Sequence, residues 1–322
     1  MNKKNVLTCA GGGGSSLTAF TMAEILLSLT IIGVVAAITL PSLTGNINER
    51  TWNTQRKALY ARFSQAISLM PALNGYGTVD DTTDTAAETF ITAGLSKVLK
   101  INNICDNNKL ADCGLVSQIT TLNGSKIDLP KNVQELNPKM NHVAWGSESF
   151  TAKDTKAAAF ETANGESIVV YYRPACTSNI STENEDLPLQ KLVCANFIYD
   201  LNGTRGPNTV GKDIGVMTAL FSNDSVMVAP YPHVQDAAAA VNRSQLMSVC
   251  KNQDPQYRLP SRDELVSIFV NQKIFGNFNK DRYWSSSLLT STKNGWYLHT
   301  ASGYLSHTFD NSTLAVRCIK RD

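Results

Sequence analysis

The chain has 322 residues, enough for two compact domains plus an extra element. Only 17% of the residues are charged, and 29 basic against 27 acidic side chains leave a formal charge of +2 with no strongly basic stretch. No nucleic-acid partner is therefore indicated, and the low charge with abundant Ser, Thr and Asn has the character of a secreted or surface protein rather than a cytosolic enzyme.

Residues 1–19 form a short cationic leader with Lys3 and Lys4, no acid, and the run Gly11–Gly14 before Ser15 and Ser16. Such a segment stays on the cytoplasmic side of a membrane. From Phe20 to Leu43 the chain is apolar and carries one charge, Glu24. At about 1.5 Å per residue, a helix of this length crosses a bilayer. An ordinary signal peptide is cut after its apolar stretch and carries no carboxylate near its start. An uncut anchor accounts for the length but not for Glu24, because a lone carboxylate in lipid is costly and marks a function with a partner. The helix is expected to run on to residue 72. Trp52, Leu59, Phe63, Ile67 and Met70 recur on one face, with Arg50, Arg56, Lys57 and Arg62 on others, before Pro71 and Gly75-Tyr76-Gly77 close it.

The junction Ala19-Phe20-Thr21-Met22-Ala23-Glu24 resembles the processing site of type IV prepilins and pseudopilins. The resemblance implies cleavage by a prepilin peptidase between Ala19 and Phe20 and N-methylation of Phe20. It implies that Glu24 neutralises the Phe20 amino group of a neighbouring subunit, and that Pro41 is the helix-bending proline. The implied partners are other pilin subunits, the peptidase and an inner-membrane assembly platform. The implied location is the inner membrane, as a single-pass precursor, and then an extracytoplasmic filament. Ala19 stands where the family commonly has Gly. The pairing is physically sound, because two opposite charges that are each costly in low dielectric are tolerable together.

Six of the seven Cys follow the leader, which holds Cys9, and fall in close or plausible pairs: Cys105 with Cys113, Cys176 with Cys194, and Cys250 with Cys318. An even count in an exported chain reads as disulfides. No pair has the two-residue gap of a zinc knuckle, and the four His are scattered. Residues 73–229 read as the globular head. A helix is expected over 85–100 with Phe90, Leu95 and Leu99 inward, and strands over 167–173 and 194–200. The run Asp200-Leu-Asn202-Gly203-Thr-Arg-Gly206-Pro207-Asn208-Thr-Val-Gly211-Lys-Asp213 resembles a loop of pilin and pseudopilin heads. Asp200, Asn202 and Asp213 could supply hard oxygen ligands for Ca²⁺, or cap backbone N–H groups in a tight turn.

After Pro230-Tyr-Pro232 the character changes. An Ala-rich helix is expected over 235–250, and a capping box of Ser261 with Glu264 opens a second helix through Leu265, Ile268 and Phe269. Short segments around Trp284, Trp296 and Tyr304 suggest hairpins. The motifs Tyr257-Arg-Leu-Pro-Ser261, Tyr283-Trp-Ser-Ser-Ser287 and Val316-Arg-Cys318 together resemble the C-type-lectin-like domain of bacterial surface proteins over 230–322. That resemblance implies a bridge from Cys250, ending a helix, to Cys318 in the last strand. The Ca²⁺-holding triplets of sugar-binding members are not matched by Asp254-Pro255-Gln256 or Tyr283-Trp284-Ser285. Trp284, Trp296, Tyr297 and Tyr304 could form a flat ligand surface or, for the first two at least, pack in the core.

The expected fold is α+β. A long N-terminal α-helix, membrane and then filament core, packs on a small antiparallel-sheet pilin head and is followed by a C-type-lectin-like α+β domain. His142, His233, His299 and His307 stand in no Gly-x-Ser-x-Gly, His-Glu-x-x-His or P-loop pattern, and no enzyme is expected. The expected function is that of a minor type IV pilin-like subunit of a surface filament, displaying the lectin-like part for adhesion to a surface or carbohydrate ligand. The alternatives are a pseudopilin of a type II secretion system and a membrane-anchored binding protein that never polymerises.

Overall fold

The structure is a computed structural model that describes residues 21–74, 85–139, 156–172, 192–221, 225–229, 233–288, 294–301, 303–309 and 311–320. Within these, the side chains of 38–47, 71–74 and a few further positions lie outside the description. The expected junction Ala19–Phe20, the side chain of Pro41 and the expected pair Cys176–Cys194 lie outside the described residues. The chain forms two compact units, Met1–Arg50 and Thr51–Asp322. Helix α1 (Met22–Asn74) begins in the first and ends in the second.

The strands are β1 (Ile101–Cys105), β2 (Gln118–Thr120), β3 (Lys126–Asp128), β4 (Ala157–Thr162), β5 (Ser167–Tyr172), β6 (Leu192–Asp200), β7 (Ile214–Phe221), β8 (Ser225–Val228), β9 (His233–Asp236), β10 (Tyr257–Arg258), β11 (Arg282–Leu288), β12 (Gly295–His299), β13 (Tyr304–Thr308) and β14 (Arg317–Lys320). The shorter helices are α2 (Ala86–Thr89), α3 (Val133–Leu136), α4 (Leu246–Val249), α5 (Arg262–Val270) and α6 (Gln272–Phe275). Six strands pair antiparallel in the order β1-β4-β5-β6-β7-β8. Smaller sheets are β10-β14-β9, β11-β12-β13 and β2-β3.

The six-stranded sheet is buried on both faces, so its central strands read as continuous apolar runs rather than as alternation. In β5, Ile168, Val170 and Tyr172 face one cluster while Val169 and Tyr171 face another, and all five are buried. One cluster brings Leu59, Phe63, Ile67 and Met70 of α1 onto the sheet, together with Ala86, Phe90 and Leu95. Phe63 meets the edge of Phe197 at 5.4 Å between ring centres, and Phe90 stacks on Tyr172 at 4.1 Å. Each such side chain contributes about 1.5–3 kcal/mol by leaving water. The opposite cluster joins Val169, Tyr171, Ile198, Val216 and Leu220 of the sheet to Leu265, Ile268, Phe269, Trp296 and Leu305 of the C-terminal segment.

A polar seam runs through that second layer. Asn196 and Asn271 exchange hydrogen bonds of 2.8 and 2.9 Å, and Thr218 donates to Asn196 Oδ1 at 2.8 Å. Gln272 donates to Asn137 Oδ1 at 2.6 Å, and Asn137 donates to the Phe269 carbonyl at 2.7 Å. Asn196, Asn271, Thr218 and Asn137 are wholly buried, and their pairing removes the desolvation cost each would otherwise impose.

These observations correct the expected architecture. Among the described residues no helix is long and apolar enough to cross a membrane. The second unit is a mixed α/β body, mostly antiparallel sheet, in which residues after 230 form a layer on the sheet laid down before it.

Local expectations fare variously. The segment 86–97 is helical, and β5 and β6 lie where strands were expected. Ser261 accepts from the Glu264 N–H, and Glu264 accepts from the Ser261 N–H, completing the capping box of α5. The bridges Cys105–Cys113 and Cys250–Cys318 are formed. The Ala-rich stretch expected as a helix is instead β9, an irregular segment and the short α4. There the Asp236 carboxylate is held by Arg317 Nε and the Tyr283 hydroxyl, and the Ala237 N–H donates to the Val316 carbonyl. These partners lie across the fold, and they outweigh alanine's helical preference.

Candidate functional site

Two places gather the residues that carry chemistry. The first is the start of α1. The Thr21 N–H and hydroxyl both donate to Glu24 Oε2, at 2.9 and 3.0 Å, and the Glu24 N–H donates to Thr21 Oγ1 at 3.2 Å. This is a reciprocal helix cap. The Thr-x-x-Glu spacing announces it in the sequence, yet it was not foreseen: Glu24 has a local task in the single chain as well as any task between chains. Around it Met22, Ile25, Leu26, Leu27, Leu29, Ile31, Ile32, Val34 and Val35 are exposed by 45–77%. Farther along the same helix, Leu59, Phe63, Ile67 and Met70 are at most 3% exposed.

The second place is the loop between β6 and β7. It is closed by the pairing of Asp200 with Ile214 and by the Leu201 N–H on the Asp213 carbonyl. It is tied to β2 by the Thr120 N–H on the Asn208 carbonyl and the Val210 N–H on the Thr120 carbonyl. Asn208 sits at φ 51°, a left-handed backbone that Asn tolerates better than most side chains, and Gly203 and Gly211 turn at φ 64° and 85°. Asp213 is wholly buried. Its two oxygens accept the Asn208 and Thr209 N–H groups, each at 2.8 Å. It is therefore a clamp on the backbone, the capping role left open by the sequence.

Asp200 is also wholly buried but differently engaged. Its Oδ1 accepts the Asn202 N–H at 3.0 Å, and its Oδ2 has no partner. Burial above all, with the charge of Asp213 adding to it, pushes its carboxyl up to about 7 against the pull of the Asn202 and Gly203 N–H groups. Asn202 Nδ2 donates to the Gly206 carbonyl at 3.2 Å, which orients the amide and leaves its Oδ1 buried without a partner. Asn208 Oδ1 is buried and unpartnered too. A buried acceptor left unsatisfied costs about 1–3 kcal/mol. Behind the loop Arg56 of α1, 9% exposed, donates to the Gly211 carbonyl at 2.9 Å and reaches the Lys212 carbonyl at 3.5 Å. The sequence placed Asn208 in this run without giving it a role, and did not bring Arg56 to it.

The two tryptophans of the candidate aromatic surface pack in the core, the alternative open to them in the sequence. Trp284 is fully buried and donates its indole N–H to the Val241 carbonyl at 2.9 Å, and Trp296 is 3% exposed under Arg262, whose guanidinium lies 5.0 Å from its ring centre. Tyr297 is half-buried, with Arg282 5.6 Å from its ring centre. The side chain of Tyr304 lies outside the described residues. Compared with protein-family models and with curated proteins, the chain matches none.

Proposed function

We propose that the chain is a pilin-like subunit, cut between Ala19 and Phe20 and built into an extracytoplasmic filament through the first part of α1. The observation that carries this reading is the run of nine large apolar side chains from Met22 to Val35, exposed together on one helix around a single carboxylate. A surface of that kind is unfavourable in water and calls for an apolar partner. Other copies of the same helix supply one, and Glu24 then has a cation to meet in the Phe20 amino group of a neighbour. A prepilin peptidase and a membrane assembly platform are the partners this reading requires, and the precursor is held at the membrane before assembly.

Mass spectrometry of the N-terminal peptide tests it, on material sheared from the cell surface and on membranes. N-methylated Phe20 in the sheared fraction is the expected result. The same peptide confined to membranes would point to a secretion pseudopilus. An intact Met1 start in both fractions would overturn the proposal.

A further inference from the structure

An edge strand offers unpaired N–H and C=O groups to any strand that comes beside it, and folded chains guard their edges with charge, proline or cover. Most edges here carry such a guard. On β1 the Asn103 side chain accepts from the Ile104 N–H and donates to the Asp112 carbonyl, which ties the disulfide-closed turn to the strand. On β8 the Met227 carbonyl accepts from the Tyr60 hydroxyl at 3.0 Å. β2 is bonded to the β6–β7 loop, and β3 carries Lys126 and Asp128. β11 donates from Trp284 to the Ala315 carbonyl and from Ser286 to the Pro260 carbonyl. β10 has only two residues, and β9 ends in Asp236, held by Arg317. β13 is different. It ends the order β11-β12-β13 and pairs with β12 alone. Among the described residues no backbone bond reaches it from its other side. Tyr304-Leu-Ser-His-Thr308 contains no Lys, Arg, Asp, Glu or Pro, and Phe309, which follows it, is 72% exposed.

We propose that β13 is an interaction edge at which two copies of this chain pair antiparallel about a two-fold axis at Ser306. The backbone groups of an edge are matched only by another extended strand. Within this chain β13 itself is the unguarded strand on offer among the described residues. A segment that pairs antiparallel with itself closes on a two-fold axis and stops at a dimer. Centring that axis on Ser306, the middle residue, pairs the whole strand. Tyr304 of one copy then faces Thr308 of the other, Leu305 faces His307, and Ser306 faces Ser306. His307 is the strand's one titratable side chain that charges near neutral pH, and in this register it faces Leu305 rather than its own copy, so no like charges meet. The two three-stranded sheets become one of six strands. Five paired residues lie below the size of a standard interface, so the dimer is weak and depends on concentration. The inference does not rest on the filament reading.

The test uses the full chain in detergent. Ser306→Cys and Thr308→Cys are each made in a Cys9→Ser background and treated with a mild oxidant. Directly opposed residues of an antiparallel pair have Cβ atoms about 4.5–5.5 Å apart, close to the span of a disulfide. Two copies of residue 308 would stand four residues apart along the strands, about 13 Å, which is out of reach. Ser306→Cys is therefore expected to cross-link into a dimer about tenfold faster than Thr308→Cys or the background chain. Sedimentation of the unaltered chain should show reversible, concentration-dependent dimerisation. Ser306→Lys, which sets two cations face to face on a half-exposed position, should weaken it about tenfold. Cross-linking that is no faster at 306 than at 308 overturns the register and the proposal with it. A chain that sediments as a monomer throughout, or self-association undiminished in Ser306→Lys, overturns the edge as the docking surface.

Discussion

Asp200 and Asp213 are thirteen residues apart and both wholly buried, yet their neighbours set them opposite tasks. Asp213 accepts two backbone N–H groups, so Asp213→Ala strands two donors and should cost about 2–4 kcal/mol in denaturant unfolding, with or without a divalent cation. Asp200 keeps an unpartnered oxygen, so Asp200→Asn without cation should cost nothing or stabilise slightly. Equal losses from the two substitutions would contradict this division. Residue type and spacing made Asp200 and Asn202 legible as oxygen donors, but they could not assign Asp213, because a loop carboxylate serves a cation and a backbone N–H equally well. Asn208 was illegible for another reason: its contribution depends on a left-handed backbone set by its surroundings. Gly215 is a similar case. A Cβ there would run into the Tyr199 hydroxyl oxygen and ring. Tyr199 is its cross-strand partner and lies over it. Gly215→Ala is expected to lower stability by about 3 kcal/mol or more, read from the shift in denaturation midpoint at constant slope.

At the scale of elements, local signals succeeded where the local chain decides the outcome. Ser261 and Glu264 sit three apart, and α5 begins there with both capping bonds made. The apolar stripe Leu59, Phe63, Ile67, Met70 buries as its spacing implies. They failed where partners come from afar. The alanines after Asp236 favour helix, but β9 pairs with β14, more than eighty residues on. The two described disulfides differ in what they constrain. Cys250–Cys318 closes a separation of 68 residues and Cys105–Cys113 one of 8. Loop-closure entropy puts their stabilisation at about 4 and about 2.5 kcal/mol respectively. Paired Cys→Ala replacements should follow that order in melting temperature under oxidising conditions. A larger loss from the small loop would show that local shape, rather than chain entropy, is what that bridge supplies.

At the scale of the whole molecule, a change in composition after Pro232 looks the same whether a new domain begins or a new layer does. The outcome depends on which surface the later segment covers. Here it covers one face of the six-stranded sheet, placing α5 beside Val216 and Leu220 and inserting Asn271 into a buried amide pair with Asn196. A sheet whose strands are apolar on both faces cannot be left with one face in water. A chain ending at residue 229 would expose Val169, Tyr171, Ile198, Val216 and Leu220 and strand the Asn196 amide. The body Thr51–Asp322 should therefore unfold in one transition by both circular dichroism and calorimetry, and the truncated chain should give no cooperative transition. Asn196→Ala in the full chain should move that single transition down by about 2–3 kcal/mol without splitting it, because Asn271 loses its partner within one cooperative core. Two separable transitions, the later one untouched by Asn196→Ala, would restore the picture of a head and an independent C-terminal domain.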